Sequence, residues 1–181
     1  MVLSDAAKEF ILHWGEMGAR WGVNRTVAQV HALLYLSPEA LTAEEIAEAL
    51  SVARSNVSTS LRELQNWNLV HIESRMGERR DFFRTSADVW ALFLTVVEQR
   101  FQREIVPTLT MLSRCVTIAK AEGPSQALVR KRIAAMQEFL EELQGWYRQV
   151  RKLPPATLRS LISMGSGIAR ILPKPRRRRL D

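Results

Sequence analysis

The chain has 181 residues, 46% hydrophobic and 25% charged, which fits one compact domain or a small domain with a helical extension and excludes a disordered or low-complexity protein. The formal charge is +7, and Lys174 and Arg176–Arg179 stand against Asp181 at the end, so the basic balance is partly a property of the tail. It favours a polyanionic partner, nucleic acid or anionic lipid, without choosing between them. The single Cys115 excludes an intrachain disulfide and fits a reducing cytoplasm; no apolar run approaches the roughly 20 residues of a membrane span, and the opening residues lack the basic region and apolar core of a signal peptide.

Ser4 or Asp5 caps a first helix whose apolar stripe is Leu3, Ala7, Phe10, Trp14, Met17 and Trp21, and Gly22 closes it. Asn24 caps a second, with Val27, Val30 and Leu34 inward, which Ser37-Pro38-Glu39 ends. Thr42-Ala43-Glu44-Glu45 is a capping box. It opens a short helix through Leu50, with Ile46, Ala47 and Leu50 inward. Ser51-Val52 makes a tight turn, and a further helix runs from about Ala53 to Asn66 with Val57, Leu61 and Leu64 inward, stopped at Asn68. The period then changes to alternation. Leu69 to Arg75, with Val70 and Ile72 apolar, and Arg80 to Thr85 read as two strands of a hairpin around Met76-Gly77-Glu78-Arg79.

From Ala87 the pattern is helical again, with a stripe of Trp90, Leu94, Val97, Phe101 and Ile105. Pro107 should kink or break this helix. Leu109, Leu112 and Val116 continue beyond it, and Gly123-Pro124 is a stop. Ile133, Met136, Leu140, Leu143, Tyr147 and Val150 have the heptad spacing of a seam against another helix, ended by Pro154-Pro155. A last amphipathic stretch from Leu158 to Leu172 leads into the basic tail.

The fold class expected is mainly α: a winged helix-turn-helix with a small β-hairpin wing and long helices forming a dimer body. The expected organisation is an N-terminal helix of the dimer body over 1–24, the winged helix-turn-helix over 25–86, a helical dimerisation region over 87–172 and a basic flexible tail over 173–181. In such a motif the second helix lies in the major groove. Opposite its apolar side lie Ser55, Thr59 and Arg62, flanked by Asn56 and Ser58. Asn pairs bidentately with adenine and Arg with guanine, while Ser and Thr reach phosphates or either kind of base. An ordinary solvated face would more often carry Glu, Lys and Gln, because Ser and Thr are weak helix formers. Arg54, at the helix start, reads as a phosphate contact. On the hairpin, Arg75, Arg79, Arg80 and Arg84 suit a wing that lies along the phosphate backbone or enters the minor groove, although Glu73, Glu78 and Asp81 partly neutralise them.

The run from Thr42 to Leu50, followed by Ser51 to Ser58 and Leu61-Arg62-Glu63-Leu64, resembles the helix-turn-helix of MarR-type regulators. Within them it is most similar to the GbsR subgroup, which shares the aromatic first helix from Phe10 to Trp21, the stretch Asp88 to Phe93 and the stretch Arg100 to Pro107. The resemblance covers about residues 5–120. It implies a homodimer on double-stranded DNA, with terminal helices as the dimer body, and repression tuned by a small-molecule effector that the sequence leaves unidentified. Two departures stand out: Ala53 replaces the usual polar helix cap, and Glu78-Arg79-Arg80 replaces the wing's usual Asp-x-Arg, leaving open which Arg takes the tip.

Relatives in that subgroup are associated with choline and osmoprotectant control. Trp14, Trp21, Tyr35 and Trp90 are accordingly cage candidates for a quaternary amine, against the commoner reading of aromatics as packed core or dimer interface. Cys115 reads as a packed cysteine in preference to a redox sensor, since Arg114 does not share its helix face. His13, His31 and His71 are scattered without metal-ligand spacing, no cofactor or membrane span is implied, and no catalytic motif is present, so the protein reads as a regulator and not an enzyme. For the tail, phosphate contact, a solubilising end and acidic-lipid binding all remain open. The alternatives to a sequence-specific regulator are a winged-helix protein–protein interaction module and a nonspecific architectural DNA-binding protein.

Overall fold

The computed structural model describes residues 2–167; the Arg176–Arg179 tail and the end of the stretch up to Leu172 lie outside the described residues. The elements follow in the order α1 (Asp5–Arg20), α2 (Arg25–Leu36), β1 (Leu41–Thr42), α3 (Ala43–Leu50), α4 (Arg54–Asn66), β2 (Val70–Glu73), β3 (Phe82–Thr85), α5 (Val89–Arg100), α6 (Val106–Ala121), α7 (Ala127–Val150) and α8 (Pro155–Met164). A π-helical turn, Phe101–Ile105, precedes α6. The chain divides into two compact units that part between Phe101 and Gln102.

In the first unit, local chemistry sets the helix ends. Ser4 caps α1 and Asn24 caps α2, each side chain accepting a backbone N–H of the first turn. The Thr42 capping box is complete: Thr42 Oγ1 accepts the Glu45 N–H at 3.3 Å, and Glu45 Oε2 accepts the Thr42 N–H at 2.7 Å. These bonds, the backbone one first, hold the Glu45 carboxyl below its usual range. Three helices end alike. Gly22 (φ 78), Ser51 (φ 53) and Asn68 (φ 55) are left-handed, and the next residue's N–H reaches back to the carbonyls of Gly18, Ala47 and Leu64. Ser51 adopts that conformation at the helix-turn-helix corner without being glycine, at a cost of about 1–2 kcal/mol.

The core of this unit is Val30, Leu33, Ile46, Val57, Leu61 and Val70, all at most 2% exposed. α2 carries most of it and packs against α1, α3, α4 and β3. The contact with α1 is close because Gly15 and Gly18 face α2: a Cβ at Gly18 would sit 2.6 Å from Ala28 Cβ. Of the apolar stripe expected on α1, Leu3, Ala7, Phe10, Trp14 and Met17 are half-buried and Trp21 is exposed, while Ile11 with Gly15 forms the buried face.

Among the described residues, the strands form one antiparallel sheet in the order β1-β3-β2. Leu41 pairs with Phe83 and Thr42 with Phe82, while Val70 to Glu73 pair with Thr85 to Phe82. The expected hairpin is present with shorter strands, and β1 is an addition to it. Ile72 is 46% exposed, so the outer part of β2 extends beyond the core. Phe82 and Phe83 point to opposite faces yet both are buried. Phe83 joins the core. Phe82 lies under Arg75, whose guanidinium carbon is 4.0 Å from the ring centroid, with Arg80 at 5.8 Å.

In the second unit, α6 packs against α7. The interruption expected at Pro107 takes the form of the π turn, with the proline at the start of α6 where its missing N–H is tolerated. Leu112, Ala119 and Tyr147 are buried in this unit, and Leu158 of α8 is buried as well.

Candidate nucleic-acid interface

α4 is anchored by Val57, Leu61 and Leu64, with Ser60 also buried, so its remaining face is fixed in direction. That face exposes Arg54, Ser55, Asn56, Ser58, Thr59 and Arg62, every expected residue of the helix. No large apolar side chain of α4 is exposed. Ala53 is the N-cap and makes no side-chain cap bond, so the first backbone N–H groups of α4 keep their hydrogen-bonding capacity for an outside acceptor. Arg54 pairs with Glu44 of α3 at 2.6 Å, which holds its guanidinium beside the helix start. Arg62 has no hydrogen-bond or ion-pair partner among the described residues.

The wing separates its arginines by partner. Arg75 donates to Glu73 Oε1 at 3.3 Å while stacking on Phe82, and Arg80 donates twice to Glu78 Oε2, at 3.1 and 3.0 Å. Arg84 lies 3.7 Å from Glu73 and donates to the Pro38 carbonyl at 3.4 Å. Arg79 is exposed and unpaired among the described residues. Beside it, Arg75 to Glu78 form a turn closed by the Glu78 N–H on the Arg75 carbonyl, with Gly77 at φ 81 in the third position. Met76 is fully exposed at that turn.

Behind this surface, still within the first unit, lies a cavity of about 420 Å³ between α1, α2 and α5. Its walls include Trp14, Trp21 and Tyr35, but not Trp90, which instead packs edge-on against Phe93 at 6.0 Å. Phe10, Trp67 and Phe93 supply the other aromatic walls. His31 also lines it, 8% exposed, with burial pushing its imidazole down to about 4. Thr85 Oγ1 donates to the Leu69 carbonyl at 2.6 Å and so accepts from His31 Nε2 at 3.3 Å. This hydrogen bond joins the cavity wall to the base of the wing. The sequence hid it because His31 and Thr85 are far apart along the chain. Cys115 is partly exposed on α6, its thiol 3.5 Å from Met111 Sδ. Among the described residues there is no His, Cys, Asp and Glu cluster suited to a metal, and no helix long and apolar enough to cross a membrane.

Residues 21–80 match the MarR family. The HTH-type transcriptional regulator YvaV of Bacillus subtilis is 21% identical over 145 residues, 80% of this chain and 81% of its own. The HTH-type transcriptional repressor GbsR of the same organism is 25% identical over 92 residues, and the match spans about half of each chain, 51%. The HTH-type transcriptional repressor OpcR, again from Bacillus subtilis, is 18% identical over 80% of this chain and 78% of its own. A solved transcriptional regulator shares the fold, with a TM-score of 0.57 and 21% identity over 80% of this chain and 99% of that one. These relatives are named as transcriptional regulators, not enzymes, and the chain is a DNA-binding transcriptional regulator with a winged helix-turn-helix, similar over residues 21–80 to the MarR family.

Proposed function

We propose that the chain is a sequence-specific repressor of the GbsR subgroup, acting as a homodimer on double-stranded DNA and tuned by a small effector. The observation that carries the reading is α4: an anchored helix whose whole free face is Ser, Asn, Thr and Arg. In this reading Asn56, Thr59 and Arg62 face base edges, and Arg54, Ser55 and Ser58 contact phosphate. Arg79 takes the wing tip, because Arg75 and Arg80 are held by acids and by the Phe82 ring. GbsR and OpcR, both named repressors, support the sign of regulation. The aromatic-walled cavity supports the effector, and the His31–Thr85 bond offers it a mechanical route to the wing.

The test is selection of bound sites from random duplex DNA, followed by titration of the best site against scrambled DNA at fixed salt. A roughly palindromic site bound at least about 10³-fold tighter than scrambled DNA is expected. Equal binding to all sequences would leave an architectural protein, and no binding would leave an interaction module. For the effector, Val96→Phe, at a partly buried wall position, narrows the cavity and should weaken ligand-induced release while leaving DNA binding of the ligand-free protein intact.

A further inference from the structure

The wing ends in an apolar side chain. Met76 holds the second position of the Arg75–Glu78 turn, which the Glu78 N–H closes on the Arg75 carbonyl and Gly77 completes at φ 81. It is fully exposed, and apart from Val2 at the chain start no other large apolar side chain among the described residues passes 67%. A single exposed apolar residue is by itself ordinary. The neighbours set this one apart. Arg75 and Arg80, which flank it, turn back onto the Phe82 ring and onto Glu73 and Glu78. The acids near the tip are thereby offset, and Met76 stands clear of the long side chains that could have covered it.

The wing and α4 serve the same ligand. Arg54, at the start of α4, pairs with Glu44. The next residue, Glu45, has its carboxyl lowered by the Thr42 bonds and further by the charge of Arg80. The start of α4 and the wing therefore meet at the start of α3, on one edge of the first unit, the winged-helix head. A duplex with α4 in its major groove brings the adjacent minor groove to that edge.

The chemistry of the minor groove says what an apolar tip can read there. Its floor carries acceptors at A·T pairs and adds the guanine amino group at G·C pairs. That amino group stands up from the floor into the space an inserted side chain would take, and methionine has no strong acceptor to offer it. The deoxyribose walls are apolar, and an unbranched side chain with three rotatable bonds fits between them.

We infer that Met76 enters the minor groove beside the half-site read by α4 and packs against its sugars, admitting A·T pairs at that position and rejecting the guanine amino group. Arg79 supplies charge at the tip, and Met76 supplies discrimination on a base pair that α4 does not reach. The inference rests on the DNA-reading head proposed above and adds a residue to its specificity.

The test uses the full chain and the site selected from random DNA, with each flanking pair set in turn to A·T, G·C and inosine·C. Inosine keeps the major-groove edge of guanine and lacks its minor-groove amino group. At the wing position, G·C should bind the wild type about 10-fold more weakly than A·T, and inosine·C should return to within about 3-fold of A·T. Met76→Ala should bind the A·T site about 5-fold more weakly and hold the A·T over G·C preference to within about 2-fold. Its slope of log affinity against log salt should not change, because no charge is lost. A preference that survives Met76→Ala belongs to the arginines or to DNA shape, and one that inosine does not relieve is not read in the minor groove. Either result overturns the role of Met76 and leaves the head a DNA reader, as does a wild type with no preference at any flanking pair. A wild type that binds no DNA overturns both.

Discussion

Among the described residues, the winged-helix unit and the α6–α7 hairpin each expose one helix face, and the two faces have opposite chemistry. α4 presents Ser55, Asn56, Thr59 and Arg62, whereas α7 presents Met136, Phe139 and Trp146. An uncovered polar face is satisfied by water until a polar ligand of matching geometry displaces it. An uncovered apolar face loses about 25 cal/mol for each Å² left wet and so calls for a packed partner. The difference also shows in how the units are held. The first has a core of side chains at most 2% exposed around α2, among them Val30, Leu33 and Ile46, while α7 has Tyr147 alone as a buried residue.

The sharpest way to break this comparison is to truncate one apolar side chain in each unit. Leu33→Ala removes a side chain that is 0% exposed in the core of the head and should cost about 2–5 kcal/mol, read from urea unfolding. Phe139→Ala, at 58% exposure, should change the stability of the monomeric chain by no more than about 0.5 kcal/mol. Its effect should instead grow with protein concentration, because stability gained by association follows mass action. A concentration-independent loss at Phe139 as large as that at Leu33 would erase the distinction.

Acid should act on the head through His31. His31 is neutral in the fold, its imidazole pushed down to about 4 by burial, while the unfolded chain takes up a proton at the ordinary imidazole value of 6.5. Between these two values the unfolded state binds more protons. Stability is therefore full above about 6.5, falls as the pH drops, and has lost its whole His31 contribution below about 4, roughly 3 kcal/mol in all. His31→Leu should flatten the dependence of the urea midpoint in that window. A wild-type midpoint that does not move between pH 7 and pH 4.5 would show that His31 is protonated without cost. Glu45, held below its usual range by the Thr42 bonds, adds a loss only at lower pH, as its carboxylate is protonated.

How much of this was legible in the sequence follows from how local each cause is. The Thr42 capping box, the stop at Asn68 and the polar face of α4 are set within a few residues, and all are in the structure as expected. The two-residue β1 depends on pairing with Phe82 and Phe83 some forty residues later, and has no period of its own. Gly15 and Gly18 read as ordinary helix residues until Ala28 is seen to approach. Phe10, Trp14 and Trp21 read as a core stripe because spacing shows a common face but not whether that face meets a core or a cavity. The burial of Phe82 is supplied by arginines, which no apolar pattern announces.

The recognition face can be sharpened at Arg62. It is exposed and unpaired among the described residues, so its removal breaks no hydrogen bond or ion pair described in the free protein. Arg62→Ala should weaken binding to the selected site by about 1–3 kcal/mol and relax preference at one base pair of each half-site, measured by titrating single-base variants. A loss equal on every sequence would move Arg62 to the phosphates.

The smallest effect concerns the wing, where the same residue type occurs in two states. Among the described residues Arg79 has no hydrogen-bond or ion-pair partner, and Arg80 is bound to Glu78 by two hydrogen bonds. A free guanidinium that neutralises a phosphate releases a counterion, so Arg79→Ala should weaken binding to specific and scrambled DNA alike and lower the slope of log affinity against log salt by about 1. Arg80→Ala removes a cation whose charge Glu78 already offsets, and it exposes that acid to the DNA. Its salt slope should change less than that of Arg79→Ala, and Glu78→Gln in the Arg80→Ala background should recover part of the affinity. Equal slopes for the two arginine variants would mean that DNA breaks the Arg80–Glu78 pair, and the wing would then have two tip cations instead of one.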